Sequence, residues 1–515
     1  MRKMWSAQRI RSVLVLAAVI VCAAAVPRAD AASCESLVTL KLPNTTITLA
    51  QPVSAGAFTP TIAPGAPPPR VNFGDLRAFC RVTATIKPTS DSDIKIEVWL
   101  PSVGWNGRHE VVGNGGWAGS IGYAALSDAL RDGYAAAGTD TGHEGGSAKF
   151  ALGHPEKLID NAYRAVHEMT VQAKVIVAAF YGDGPTFSYW NGCSSGGKQG
   201  LKEAQRFPAD FDGIIAGAPA NNMMRLHIGS LWNAAAVHAT DASAIPPAMF
   251  PAIHKAVLDA CDALDGAKDG LIEDPTRCHF DPQVLQCRAD AGPPCLVPAQ
   301  VEALRKIYGG AVNPRTNEQI FPGWARGFEL GLGVTAGAQP ESTPLDTFRY
   351  VVTQNPEWDW RTLDFDADVA KADAVDHGVI TSVDPDLSAF FARGGKLLLY
   401  HGWGDPNISP LNTVNYYNSA VVKNGGVKAT ETKMRLFMMP GMGHCRGGEG
   451  PDTFDKMRVI RQWVEEGKVP GRIVATHRTG DAVDRTRPLC PYPQVAKYTG
   501  TGSIDDASNF ACVAR

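Results

Sequence analysis

The five residues Gly192-Cys193-Ser194-Ser195-Gly196 constrain the fold of this chain more than any other feature. They follow an apolar aromatic run that reads as a strand and precede a stretch, from about Gly197, that reads as a helix. A turn this tight has no room for side chains at its flanks, hence the glycines. It lifts a serine hydroxyl above the sheet, at a helix N-terminus whose dipole favours developing negative charge. Ser194 has the register of a nucleophile; Ser195 is the competing serine.

The rest of the chain alternates in the same style. Residues 79–88 and 94–101 alternate apolar and polar positions, as antiparallel strands do. Residues 108–119 read as a short strand entering a Gly-rich loop, and 134–143 as a buried strand and loop. Residues 161–182 repeat their apolar positions every 3.6 residues, as a helix does. Further strands are expected at 211–220, 395–405 and 434–445. Strands alternating with helices, with polar residues at strand C-termini, imply a doubly wound α/β sheet. The rhythm breaks between 221 and 385. The expected organisation is therefore a leader at 1–31, a first core part at 32–220 entered through an extended Pro/Thr-rich segment, an inserted lid at 221–385 and a second core part at 386–515.

A serine nucleophile needs a base, and the base an orienting acid. In α/β-hydrolases these follow in the order Ser, Asp or Glu, His. Asp405 ends the strand LLLYHGWGD, and His444 lies in PGMGHC after the next one. His143 and His401 are rival imidazoles. Oxyanion donors are expected from the loop Asn114-Gly115-Gly116-Trp117, at Gly115 or Gly116, and from the N–H of Ser195. Cys193 precedes the serine and Cys445 follows the histidine. If Ser194 and His444 touch, these cysteines are close enough to form a bridge that staples the two loops.

Export is expected from the N-terminus. Arg2, Lys3, Arg9 and Arg11 precede the apolar run 12–26, and Ala29 and Ala31 supply small residues for a cleavage site. Cleavage there removes five positive charges and one negative, moving the formal charge from −3 to −7. No basic run remains, so nucleic acid is a poor partner. Neither is a membrane partner expected once the leader is gone. Of eleven cysteines, Cys22 leaves with the leader, and the even remainder reads as a disulfide framework. Closeness in sequence suggests Cys261–Cys278, Cys287–Cys295 and Cys490–Cys512.

The segment CDALDGAKDGL, beginning at Cys261, places three carboxylates within eight residues. Asp265, Asp269, Gly270 and the Leu271 carbonyl fit positions one, five, six and seven of an EF-hand-like loop. Thr276 stands where the bidentate Glu belongs. The expectation is a structural calcium site in the lid, a solvated acidic turn being the alternative.

Together, the Cys-Ser, Asp and His-Cys arrangement, the elbow GCSSGGKQGLKEAQRFPADFDGIIAGAPA, the segments GWGDPNISP and PGMGHC, and the loop CDALDGAKDGLIEDP resemble the tannase and feruloyl esterase family. That family also includes a bacterial mono-hydroxyethyl terephthalate hydrolase. The resemblance covers essentially the whole mature chain. It implies an α/β-hydrolase with a lid, a lid calcium and hydrolysis of aromatic carboxylic esters of the kind plant polymers carry. It also implies calcium ligands at Asp262, Asp265, Ala267 (carbonyl), Asp269 and Leu271 (carbonyl). The pairs it implies are Cys34–Cys80, Cys193–Cys445, Cys261–Cys278, Cys287–Cys295 and Cys490–Cys512. Ser195 stands where the terephthalate enzyme has an acidic residue. Arg326, in FPGWARGFE, is a candidate for meeting a substrate carboxylate or phenol, with a surface role as the alternative. The leading expectation is a secreted or periplasmic serine esterase for feruloyl or galloyl esters. A terephthalate-monoester hydrolase is the second. A non-catalytic relative that only binds is the third, and the intact Ser194, Asp405 and His444 argue against it.

Overall fold

The computed structural model describes residues 1, 31–60, 71–288 and 294–515. The leader expected at 1–31 lies outside these residues except at its two ends, as does the proline-rich stretch 61–70.

Three antiparallel strands open the fold: β1 (Thr45–Val53), β2 (Phe79–Ile86) and β3 (Ile94–Pro101). β1 falls in the stretch expected to be only an extended entry segment. It pairs with β2 from Thr45 opposite Ile86 to Val53 opposite Phe79. Its partly exposed residues and Pro52 suit the sheet edge, where a missing ladder donor is tolerated. Cys34 is bonded to Cys80, which ties the preceding helical turn to β2.

The next strands are β4 (Arg108–Val112), β5 (Ala135–Thr139), β6 (Phe187–Cys193) and β7 (Gly213–Gly217). Every residue of β5, AAAGT, and of β7, GIIAG, is buried. This is the signature of parallel strands covered by helices on both faces. One such helix, Ala165–Tyr181, ends at Gly182 in the left-handed region.

After β7 the chain leaves the sheet. The insertion contains the helices Met223–Val237, Phe250–Cys261 and Pro298–Gly309 and a short hairpin of β8 (Gly310–Val312) and β9 (Gln319–Pro322). It has its own apolar core, in which Leu231, Ile253, Leu304, Phe321 and Phe348 are buried together. Two disulfides, Cys261–Cys278 and Cys287–Cys295, close short loops within it.

The chain then returns to the sheet at β10 (Lys396–Gly402) and β11 (Met434–Met439). The nine strands run in the order β1-β2-β3-β5-β4-β6-β7-β10-β11, and all from β5 to β11 are parallel. This is an α/β-hydrolase sheet with an antiparallel edge. A C-terminal pair of hairpins follows, β12 (Ile473–Thr479) with β13 (Ala482–Leu489) and β14 (Val495–Tyr498) with β15 (Phe510–Val513), tied by Cys490–Cys512. Among the described residues no helix is long and apolar enough to cross a membrane.

Candidate active site

The turn between β6 and the helix Ser195–Arg206 holds Ser194 at φ 64°, ψ −124°. A non-glycine residue pays to stay there, and such strain persists only where the surroundings hold it. Here they do. Ser194 N–H donates to the Gly217 carbonyl at 3.0 Å, and the buried Trp190 indole donates to the Gly196 carbonyl at 2.9 Å. A Cβ at Gly192 would lie 2.5 Å from the Gly196 oxygen, so only glycine closes the turn. The loop after β4 approaches as closely: a Cβ on Gly113 would lie 2.6 Å from the Gly196 Cα. That approach delivers Gly115 and Gly116 to the pocket containing Ser194 and Ser195.

Asp405 and His444 follow β10 and β11. Parallel pairing sets Gly402 beside Met439, and the Gly404 N–H donates to the Met442 carbonyl at 2.9 Å, so the two loops leave the sheet laced together. His444 Nδ1 lies 2.7 Å from Asp405 Oδ2. The fully buried Asp405 also accepts from the backbone N–H groups of Asn407 (2.8 Å) and Ile408 (3.0 Å) and from His401 Nε2 (3.0 Å). Burial opposes charge on this carboxyl, but the hydrogen bonds from His401 and His444 outweigh it and hold the group well below the usual carboxylate range. For His444, burial works against the imidazolium, while the Asp405 hydrogen bond and charge raise its pKa.

Ser194 and His444 line one cavity of about 440 Å³, with Gly115, Gly116 and Ser195. No hydrogen bond joins the serine hydroxyl to the imidazole here; such contacts commonly tighten only when substrate is bound. Behind them, Cys193 is bonded to Cys445 with Cα atoms 6.0 Å apart.

The rival imidazoles lie elsewhere in the wiring. His143 Nε2 meets the Trp117 carbonyl at 2.7 Å, and its ring stacks on Phe150. His401 supports Asp405 instead, meeting the same Oδ2 as His444. Arg326 is absent from the residues lining the Ser194 cavity. It lies over the Tyr308 ring and reaches the Phe280 carbonyl, in a separate cavity. The cavity also brings in residues that sequence reasoning missed: Glu341 at its rim, and Met223, Leu226, His227 and Ser230 along one face of the insertion helix. Positions 223, 226, 227 and 230 share a face by helical spacing, but that spacing reads equally well as a packing face.

In the acidic loop, backbone amides of Asp269 and Gly270 donate to Asp262, that of Ala267 to Asp265 and that of Leu271 to Asp269. The buried Arg487 pairs with Asp269 and lies over the Phe510 ring, and its Nε and Nη1 have no hydrogen-bond partner among the described residues. Burial pushes the carboxyls of Asp262 and Asp265 up, and that of nearby Glu273 further. The loop thus gathers carboxylate and carbonyl oxygens around the buried Arg487, with Lys268 exposed and Arg485 paired with Asp505, and oxygen donors of this kind suit calcium. Among the described residues, the only group of three His, Cys, Asp or Glu side chains with ligand atoms within 4.8 Å of one another is His167, Glu203 and Asp210, elsewhere in the chain.

A family model described as "Tannase and feruloyl esterase" matches residues 80–513. The chain is 39% identical to an uncharacterized esterase of Xanthomonas campestris pv. campestris, over 94% of this chain and 91% of that one. It is 35% identical to a probable feruloyl esterase B-1 of Aspergillus oryzae, over 85% and 84%. The crystal structure of feruloyl esterase B from Aspergillus oryzae superposes with a TM-score of 0.86 at 32% identity, covering 93% of this chain and 99% of that one.

Proposed function

The chain belongs to the tannase and feruloyl esterase family and is a carboxylic ester hydrolase; we propose that it cleaves aromatic esters of the feruloyl or galloyl kind through Ser194, His444 and Asp405. One observation carries this reading: the strained Ser194 shares a cavity with a histidine whose other ring nitrogen is held 2.7 Å from a buried carboxylate.

In this reading the Ser194 Oγ attacks the ester carbonyl while its proton passes to His444 Nε2. The Asp405 hydrogen bond keeps the proton on Nδ1 and stabilises the imidazolium; Asp405 itself stays ionised. The N–H of Ser195 and one from Gly115 or Gly116 receive the oxyanion. Collapse breaks the bond to the alcohol, which leaves with the His444 proton, and Ser194 keeps the acyl group. Water then repeats the sequence and releases the acid. Ser194→Ala should lower kcat on methyl ferulate by several orders of magnitude without unfolding the protein. Near-normal turnover by the folded variant would overturn the assignment. Methyl gallate and the mono-hydroxyethyl terephthalate ester, run beside methyl ferulate, rank the acyl groups.

A calcium ion in the insertion belongs to the same proposal. Asp262, Asp265 and Asp269, with the carbonyls of Ala267 and Leu271, would hold it. It would supply cross-linking charge to the loop, with no part in the chemistry. Excess chelator should lower the melting temperature, since a ligand bound only by the folded state stabilises it. An unchanged melting curve, with no calcium on metal analysis, removes the site.

Export completes the reading, supported by the leader pattern and five disulfides. N-terminal sequencing of the exported protein should begin at Ala32.

A further inference from the structure

Building on the serine-esterase reading, we propose that His227 is a specificity residue: its Nε2 accepts a hydrogen bond from a ring hydroxyl of the substrate.

His227 lies in the helix Met223–Val237, is 4% exposed, and lines the Ser194 cavity. Its tautomer follows from its neighbours. His227 Nδ1 is 2.8 Å from Thr347 Oγ1. The same oxygen accepts from the Trp117 indole N–H at 3.1 Å and lies 3.0 Å from the Thr343 carbonyl. An indole can only donate and a carbonyl can only accept. The one hydroxyl proton of Thr347 therefore goes to the Thr343 oxygen; otherwise two acceptors would face each other at 3.0 Å. Nδ1 must then carry a proton and donate it to Thr347.

A neutral imidazole protonated at Nδ1 has a bare lone pair on Nε2. Burial, reinforced by the nearby Lys198 charge, pushes His227 down to about 3, so the ring stays neutral at working pH. Nε2 has no hydrogen bond within the described chain, and the ring that carries it faces the substrate cavity. The walls beside it, from Ala220, Met223, Leu226, Pro344 and Ile408, are apolar and suit an aromatic ring.

The cavity therefore sets the bare Nε2 of His227 beside apolar walls, with Ser230, Glu341, Thr343 and Asn407 as its polar lining away from Ser194, Ser195 and His444. A phenolic hydroxyl satisfies that acceptor. A ring without one leaves it unpaired, and a carboxylate presents lone pairs to a lone pair. The predicted substrate class is hydroxyaryl esters, ahead of unsubstituted aryl esters and ahead of anionic terephthalate monoesters.

The test compares kcat/KM for methyl 4-hydroxycinnamate, methyl 4-methoxycinnamate and methyl cinnamate. The wild type should prefer the hydroxy ester. His227→Leu should lower its kcat/KM by roughly 10- to 100-fold, the cost of losing one buried hydrogen bond, and leave methyl cinnamate within a few-fold. His227→Gln, whose amide oxygen also accepts, should restore part of the preference. A wild type that favours the methoxy ester, or a His227→Leu variant that slows all three esters equally, would overturn the inference. Ser194→Ala, assayed alongside, separates the two ideas: it should silence every ester whatever His227 does. If it does not, the esterase assignment fails instead.

Discussion

Cys193 and Cys445 are joined across 252 residues of chain, and each is the immediate neighbour of a residue of the proposed site. The bridge ties the strained turn of Ser194 to the loop of His444. Hydrogen bonds also hold both loops, from the Trp190 indole to Gly196 and between His444 and Asp405, but the bridge is the covalent tie between them and so sets how the serine and the imidazole meet.

Removing it should therefore affect the chemical step more than binding. The double variant Cys193→Ala with Cys445→Ala should lose about a hundredfold in kcat, the scale of a small misplacement of a catalytic group, with a smaller change in KM. Steady-state kinetics on methyl ferulate provides the check. An unchanged kcat would mean that the sheet alone positions the two loops.

The charge state of His444 gives a second prediction. As the proposed base, His444 must be neutral to accept the serine proton, so activity should rise with pH through its pKa. Although burial opposes the imidazolium, Asp405 raises that pKa, so the acid limb of kcat/KM should have its midpoint above the ordinary imidazole value of about 6.5. In Asp405→Asn that charge is gone, and burial is opposed only by the lesser pull of Glu341. The limb should move to lower pH, while kcat falls by about 10⁴-fold through loss of the correct tautomer. A pH profile that keeps its acid limb in the variant would separate Asp405 from His444.

His254, in the helix Phe250–Cys261, is held between Glu329 at 2.9 Å and Glu449 at 2.8 Å. Glu449 follows His444 by five residues, so this contact ties the insertion to the His444 loop. Burial disfavours the imidazolium, yet the two carboxylates outweigh it and raise His254 to about 9. A group raised in the folded state stabilises fully below its unfolded pKa, about 6.5, and loses that contribution as pH climbs through its folded value. The melting temperature should therefore decline from about pH 6.5 to beyond pH 9. His254→Gln should be less stable at neutral pH and should show a flatter decline. Parallel melting curves for the two proteins across that range would contradict the contact's role.

Much of the site was legible in the sequence because it depends on local geometry. Gly192 is required by a contact four residues away, with the Gly196 carbonyl, and the order of Ser194, Asp405 and His444 follows the order of strands. The cysteine neighbours carried long-range information because each is bonded to the chain beside a site residue. Other features are products of packing across the chain. β1 has too little alternation to declare itself, because an edge strand buries little on either face. His401 was visible as an imidazole near Asp405, but its service to the same carboxylate oxygen as His444 depends on the path of the loop after β10. His227 sits in an apolar helical pattern, and its tautomer is set by Trp117 and Thr347, each more than a hundred residues away. The insertion hid its architecture because its short elements follow no repeating period.

The nucleophile is the central claim, and covalent capture tests it most directly. The protein is treated with a p-nitrophenyl phosphonate ester, which phosphonylates an activated serine and expels nitrophenol, then reduced, digested and mapped by mass spectrometry. The account predicts one adduct per chain, on Ser194, and no adduct in Ser194→Ala. An adduct on Ser195 or any other residue, or equal labelling of the Ser194→Ala variant, would contradict it.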